Sequence, residues 1–317
     1  MSYTLSLIPV EEKEKLVERY ADEIKYEVKS EIFGCCIKLL TDDKETKERW
    51  EENFYFISQN IRSHGRLYHL RDPMAPEDTL LYDPQSRTAF LINVAYYGLV
   101  KSLALSVAGD VLEEEHGTHS VHGACIDAEG WGTAILGESG AGKTTQTYGL
   151  LLDSRVRVVS DDWFFARVYG NDVFAYGSEK NFYIRADLSG AWPEFEELIG
   201  RADLDAEERG VVDLRSVVGK GRVLPMTTLR TAVFLRRHEG GPVRCVPLDP
   251  EEALEVASAS GYFNPHLLVR TPFREEIRRR FFASLLGATR VFEVTAGPTP
   301  AETQEVLREI VLGWRGE

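Results

Sequence analysis

Residues 121–162 read VHGACIDAEG WGTAILGESG AGKTTQTYGL LLDSRVRVVS DD, and their order decides the fold. Residues 121–126 are a short apolar run, Asp127-Ala128-Glu129-Gly130 is a turn, and residues 132–136 are a second apolar run. Strands joined this tightly run antiparallel, because a parallel return needs a crossover of a dozen residues or more. The second strand feeds Gly137-Glu138-Ser139-Gly140-Ala141-Gly142-Lys143-Thr144-Thr145, which contains G-x-x-x-x-G-K-T. A strand before and a helix after, here from about Lys143 to Leu152, are what a phosphate-binding loop requires. The glycines let the backbone curl until successive N–H groups point at phosphate oxygens, and the helix adds the positive end of its dipole. Lys143 supplies a point charge to the β- and γ-phosphates, and the Thr144 hydroxyl is placed for Mg2+. The commonest loop of this kind sits in a parallel sheet; the hairpin predicts a mixed sheet instead.

Beyond the helix, residues 155–159 are a strand ending at Ser160-Asp161-Asp162, on the sheet edge that carries the loop. Phosphoryl transfer needs a carboxylate near the metal and a group that accepts the proton of the acceptor hydroxyl. Adjacent Asp residues face different ways and can divide these tasks. A turn-capping pair is the competing reading, and the neighbouring loop favours function. His122 sits on the hairpin partner of the loop strand, within reach of the phosphates or the acceptor. With His116 and His119 it forms H-x-x-H-x-x-H, but no fourth ligand or second cluster accompanies them, so a zinc site is not expected. Lys180 and Arg185, in GSEKNFYIRADL, are candidates for holding an anionic acceptor, a solvated strand edge being the alternative. Arg230 is a weaker candidate.

The chain has 317 residues and a formal net charge of −14, with 43% hydrophobic and 28% charged residues. That balance argues against a generic nucleic-acid binder. Cys35, Cys36, Cys125 and Cys245 form no C-x-x-C pair and read as four ordinary buried thiols. The N-terminus has no secretory signal pattern, and the longest apolar stretch, around residues 92–112, is broken by Lys101 and Asp110. No membrane span is expected, and the cytoplasm is the default location. A homo-oligomer is compatible with the sequence.

Outside the loop region, Leu16, Val17, Tyr20, Ile24 and Val28 predict an amphipathic helix over 11–29. Residues 53–58, 66–70 and 88–93 read as strands and 94–114 as a helix. Strands follow at 163–168, 172–176, 231–236 and 290–294, and helices at 250–259, 274–285 and 301–314. Arg274 to Arg280 is expected on the charged outer face of a helix that packs through Phe273, Ile277, Phe281 and Phe282. Two domains are expected: an α+β segment over 1–112 and a phosphate-loop domain over 113–317.

His122-Gly123, the hairpin, the loop Gly137–Thr144 and Asp161-Asp162 together resemble the kinase domain of HPr kinase/phosphorylase. The spacings from His122 to Lys143 and from Lys143 to Asp161 fit that family. The resemblance covers residues 120–165 well and 166–310 loosely. It implies an α/β fold with α+β character, a mixed-sheet domain of the HPr kinase/phosphoenolpyruvate carboxykinase type. By the same resemblance, Asp161 would be the general base, Asp162 and Thr144 would lie near Mg2+, His122 would stand near the transferring phosphate, and Lys143 would neutralise phosphate charge. The E-I/V-R-G-L-G segment of the bifunctional enzymes is absent; the nearest region is DAEERGVVDLRSVVG, residues 205–219. The chain therefore looks like the HPr-kinase-related group, whose acceptors include free and peptide serines. The expected function is an ATP- and Mg2+-dependent kinase acting on a hydroxyl, most simply a serine. The alternatives are a nucleotide-binding regulatory module and a carboxykinase-like enzyme acting on a small organic acid.

Overall fold

A computed structural model describes residues 4–76, 78–237, 240–264 and 267–313. They divide into two compact units. The first holds the described residues of 1–117, 179–181 and 266–271; the second holds those of 118–178, 182–265 and 272–317.

The first unit is a mixed seven-stranded sheet with three helices, α1 (Val10–Arg19), α2 (Lys44–Asn53) and α3 (Tyr97–His116). Its strands are β1 (Leu5–Leu7), β2 (Tyr26–Ile32), β3 (Cys35–Thr41), β4 (Tyr55–Phe56), β5 (Gly65–Leu70), β6 (Thr79–Asp83) and β7 (Thr88–Ile92). They lie in the order β1-β6-β7-β5-β3-β2-β4, with β3, β5 and β7 parallel at the centre. The helix expected over 11–29 stops at Arg19. From Tyr26 onward Val28, Ser30 and Ile32 are buried alternately, a period of two that makes β2 a strand. It pairs with β3 through Phe33-Gly34, both at positive φ, as a two-residue type I′ hairpin demands. The strand expected at 53–58 shrinks to β4, because α2 takes residues 44–53. Asp43 caps that helix by accepting the Thr46 N–H at 2.9 Å, and buried Trp50 anchors it, its Nε1 donating to Ser30 Oγ at 2.8 Å. Trp50 is the sole apolar residue of KETKERWEEN, so no helical period is legible there.

His69 is buried between Thr41 Oγ1 at 3.2 Å and the Val94 carbonyl at 2.7 Å. Burial holds its imidazole below the ordinary range, and the Val94 hydrogen bond offsets part of that. A base with a depressed folded pKa takes up its proton more readily when unfolded. Its stabilising contribution is complete above about pH 6.5 and is lost as pH falls from there through the folded value. Thermal unfolding should therefore show Tm falling between about pH 7.5 and pH 5.5, with a flatter slope for His69→Gln. Equal slopes for the two proteins would remove His69 as the cause.

The second unit begins with β8 (His119–Ala128), β9 (Trp131–Leu136), α4 (Lys143–Leu151), β10 (Val156–Ser160), β11 (Trp163–Tyr169) and β12 (Asp172–Gly177). There follow β13 (Phe182–Arg185), α5 (Leu188–Ala191), α6 (Glu196–Gly200), β14 (Arg209–Val212), α7 (Arg215–Val218) and β15 (Met226–Arg236). It closes with β16 (Arg244–Leu248), α8 (Pro250–Ala259), α9 (Pro272–Gly287), β17 (Arg290–Thr295) and α10 (Pro300–Leu312). The β8–β9 hairpin is antiparallel, whereas β9 lies parallel to β15 and β15 parallel to β17. The mixed sheet read from the hairpin is thus what forms. Strands β8, β9, β15, β12 and β11 pair in a closed ring, and β13 and β14 form their own small sheet. One face of the large sheet packs on α4 and α10 through Ala124, Ile126, Tyr148, Leu150 and Leu307. The other packs on α8 and α9 through Val121, Cys125, Ala253, Phe281 and Phe282.

Three sequence expectations change here. Arg278 is fully buried, its Nη2 donating at 2.9 Å to the carbonyls of Ser120 and Tyr262. It lies on the face of α9 that carries Phe281, Phe282 and Leu285, where two backbone carbonyls accept from its Nη2. Phe273, expected in that packed face, is 73% exposed. Cys245 is exposed on β16, while Cys35, Cys36 and Cys125 are buried. Among the described residues no helix is long and apolar enough to cross a membrane.

Candidate active site

The loop follows β9 directly. Gly140 and Gly142 take φ of 78° and 95°, the left-handed region that glycine enters without strain. The Ala141 N–H donates to the Glu138 carbonyl at 3.1 Å, closing the turn before α4 begins at Lys143. Glu138, Ser139 and Gly140 are exposed at the loop crown, and Thr144 and Thr145 are half-buried in the first helical turn. The Thr145 carbonyl accepts from Trp192 Nε1 at 2.7 Å. Lys143 is buried, and its Nζ donates to the carbonyls of Gly137 at 2.9 Å and Glu138 at 3.1 Å. Burial pushes its pKa down, the charge of Asp162 pulls it back up, and Arg237 lowers it further. A Cβ on Gly137 would stand 2.3 Å from the Leu235 carbonyl oxygen, so the loop is pressed against β15 by backbone alone. Gly137→Ala should weaken nucleotide binding at least about tenfold and destabilise the chain by about 1–3 kcal/mol. Calorimetry with ADP, beside a denaturation curve, checks this; wild-type affinity would show that the loop tolerates the shift.

The Asp pair is not at a simple strand end. β10 and β11 both run antiparallel to β8, Ser160 opposite Cys125 and Trp163 opposite His122. They are two halves of one strand line, and Asp161-Asp162 is the bend between them. The hydroxyls of Ser160 and Ser178 both donate to the Trp163 carbonyl, the second at 2.6 Å, and the Gly123 N–H donates to the Asp162 carbonyl at 2.8 Å. Gly123 also faces Leu136 across the hairpin, where a Cβ would meet Leu136 Cδ2 at 2.6 Å. The bend therefore stands one strand away from the mouth of the loop. Asp161 is buried and Asp162 half-exposed. His122 Nε2 lies 3.3 Å from Asp162 Oδ1, and its ring centroid is 5.4 Å from that of Trp163.

His122, Lys143, Thr144, Asp161 and Asp162 thus share one edge of the sheet. The other candidates sit elsewhere. Lys180 packs within the first unit, its Nζ donating to the Glu51 carbonyl at 2.9 Å and its N–H to that of Asn53 at 2.9 Å. Arg185 ends β13 and pairs with Asp187 at 3.2 Å, both side chains exposed. Arg230 pairs with Asp172 at 2.7 Å and lies over Trp131, at the end of β9 opposite the loop. His119 stacks on Phe281 at 4.1 Å, and no cluster of three or more metal-ligating side chains occurs among the described residues.

Two groups near the loop were missed from sequence. The Arg237 guanidinium donates to the Ser139 carbonyl, at the loop crown. The Ser160 and Ser178 hydroxyls fix the Asp bend. The first had a faint signal, a cation just past a strand parallel to the loop strand; the second had none, since the bend appears once β8 is in place.

No family model matches the chain. Over 125 residues it is 34% identical to the HPr kinase/phosphorylase of Streptococcus equinus, a stretch covering 39% of this chain and 34% of that protein. The HPr kinase/phosphorylase of Streptococcus equi subsp. zooepidemicus (strain MGCS10565) matches at the same identity and coverage. The match spans about a third of the length of these curated relatives. The structure of the Hpr(Ser) kinase/phosphatase from Coxiella burnetii aligns over 62% of this chain and 88% of that one, at 13% identity and a TM-score of 0.34. Over these 125 residues the chain is similar to HPr kinase/phosphorylases.

Proposed function

We propose that the second unit transfers the γ-phosphoryl group of ATP to a hydroxyl, most simply a serine, free or in a peptide or protein. The observation that carries this is the edge shared by the loop and the Asp bend, with His122 3.3 Å from Asp162. Mg2+ fits these residues: it is commonly held by one or two carboxylates together with substrate phosphates, and Thr144 and Asp162 offer a hydroxyl and a half-exposed carboxylate. When bound, the ion neutralises charge on the phosphates and aligns them. The loop N–H groups and Lys143 hold the triphosphate. Asp161 accepts the hydroxyl proton as the acceptor oxygen approaches in line. His122 keeps the Asp162 carboxylate oriented.

Support for a serine acceptor comes from the 34% identity to HPr kinase/phosphorylases. The test is γ-labelled ATP with Mg2+ against free serine, serine peptides and small serine-bearing proteins. Label should appear on a serine hydroxyl and vanish with EDTA. Binding of ADP without transfer to any acceptor would favour the nucleotide-binding regulatory module instead.

A further inference from the structure

A cavity of about 430 Å3 opens in the first unit, lined by Arg71, Pro73, Ala75, Asn93, Val94 and Ala95. Its place follows from the sheet. β3, β5 and β7 lie side by side and parallel, ending at Thr41, Leu70 and Ile92. The lining residues are those that follow β5 and β7, so the cavity stands outside the carboxyl ends of parallel strands. That edge is where open α/β sheets hold their ligands, in the crevice left as the chain departs from the strands. Every residue involved belongs to the first unit, so the site stands or falls independently of the phosphate loop.

Polar bonds brace this crevice. His69 Nε2 faces the Val94 carbonyl at 2.7 Å, and since a carbonyl only accepts, that nitrogen carries the proton. Burial keeps the ring neutral, so Nδ1 accepts from the Thr41 hydroxyl at 3.2 Å, whose oxygen accepts the Asp43 N–H at 3.1 Å. These bonds tie together the ends of β3, β5 and β7. Asn93, at a φ of 59°, accepts the Asp72 N–H at 2.8 Å and donates to the carbonyls of Asp72 at 2.8 Å and Ala75 at 3.0 Å. The Asp72 carboxylate is taken up by Tyr20 OH at 2.8 Å, Arg19 Nη2 at 2.5 Å and the Met74 N–H at 2.9 Å. A crevice held this way needs little reordering when a ligand enters.

The lining is one cation among small apolar groups. Arg71 is exposed, and the hydrogen bond its guanidinium makes among the described residues is a long one, 3.5 Å from Nη2 to Asp43 Oδ1. Among the described residues no carboxylate lines the cavity. Pro73, Ala75, Val94 and Ala95 supply apolar walls. A guanidinium fork matches a carboxylate, two N–H groups to two oxygens. α3 begins just beyond Ala95 with no acidic residue in its first turn, so its positive end adds to the same sign. A single guanidinium that also leans on Asp43 balances one negative charge better than two, which favours a monoanion over a phosphate dianion. We infer that this cavity binds a small aliphatic monocarboxylate, its carboxylate on Arg71 and its hydrocarbon end against Pro73, Ala75 and Val94.

Ligand-observed NMR titration of the full chain with three probes, 3-methylbutanoate, its neutral amide and inorganic phosphate, tests it. The carboxylate should bind saturably, and at least about tenfold more tightly than the amide or phosphate. Arg71→Gln should weaken the carboxylate at least about tenfold and move the amide by less than about twofold. Ala95→Trp, which fills the crevice, should remove both. Both positions are exposed, so the unfolding curve of each variant should superimpose on that of the wild type. Absence of saturable carboxylate binding, equal affinity for carboxylate and amide, or carboxylate binding that survives Arg71→Gln or Ala95→Trp would overturn the site. Phosphate binding as tightly as the carboxylate would overturn its assignment to a monocarboxylate.

Discussion

Replacing Asp161 by asparagine should lower phosphoryl transfer by about 10^3-fold and leave nucleotide affinity within about threefold of wild type. Asparagine keeps the size and most of the hydrogen-bonding capacity of the buried side chain, so the bend between β10 and β11 survives. It cannot take a proton from the acceptor hydroxyl. Asp162→Asn should behave differently. Asp162 is the charge that supports the Lys143 ammonium against burial, and it faces His122 at 3.3 Å. Its loss should weaken Mg2+-dependent nucleotide binding as well as turnover. Single-turnover transfer from labelled ATP, measured beside ADP calorimetry, separates the two variants. Transfer by Asp161→Asn within about tenfold of wild type would show that another group accepts the proton.

The second large effect concerns stability. Lys101, midway along α3, is 2% exposed at its side chain and pairs with Glu179, 5% exposed, at 3.2 Å. Asn53 Nδ2 also donates to Glu179 Oε1 at 2.9 Å, and Tyr97 OH to Asn53 Oδ1 at 3.2 Å. Glu179 therefore brings a carboxylate into the interior of the first unit, where Lys101 and Asn53 satisfy it. Lys101→Met fits the space but removes the ammonium paired with that buried carboxylate, which should cost about 3–5 kcal/mol. Lys101→Met/Glu179→Gln should recover most of the loss, because the buried carboxylate charge is removed together with its ammonium partner. Denaturant unfolding of the three proteins measures this. A single variant within about 1 kcal/mol of wild type would mean that Glu179 finds water or another donor.

This pair shows where sequence reading ends. Lys101 appears in the sequence as an interruption of an apolar stretch, and Glu179 as part of a polar segment near the candidate acceptor residues. Neither signals the other, since 78 residues separate them. Lys180 illustrates the same point. A cation just downstream of the Asp pair reads as a substrate contact, yet its amine is engaged by the Glu51 carbonyl. α2 escaped notice because a single tryptophan anchors it, and β2 was absorbed into a helix because its first apolar residues fit both periods.

What the sequence by itself determined was local: the hairpin, the loop, the helix behind it and the mixed character of the sheet that follows from so short a turn. These rest on turn chemistry and glycine conformations, which act over a few residues. The tertiary structure alone decided that Asp161-Asp162 is a bend in one strand line against β8 rather than a strand end. It also decided that a buried arginine 158 residues beyond Ser120 ties the Tyr262 carbonyl to that strand. Such contacts depend on which backbone groups meet once strands pair, and periodicity and turn signals do not encode a partner that far along the chain.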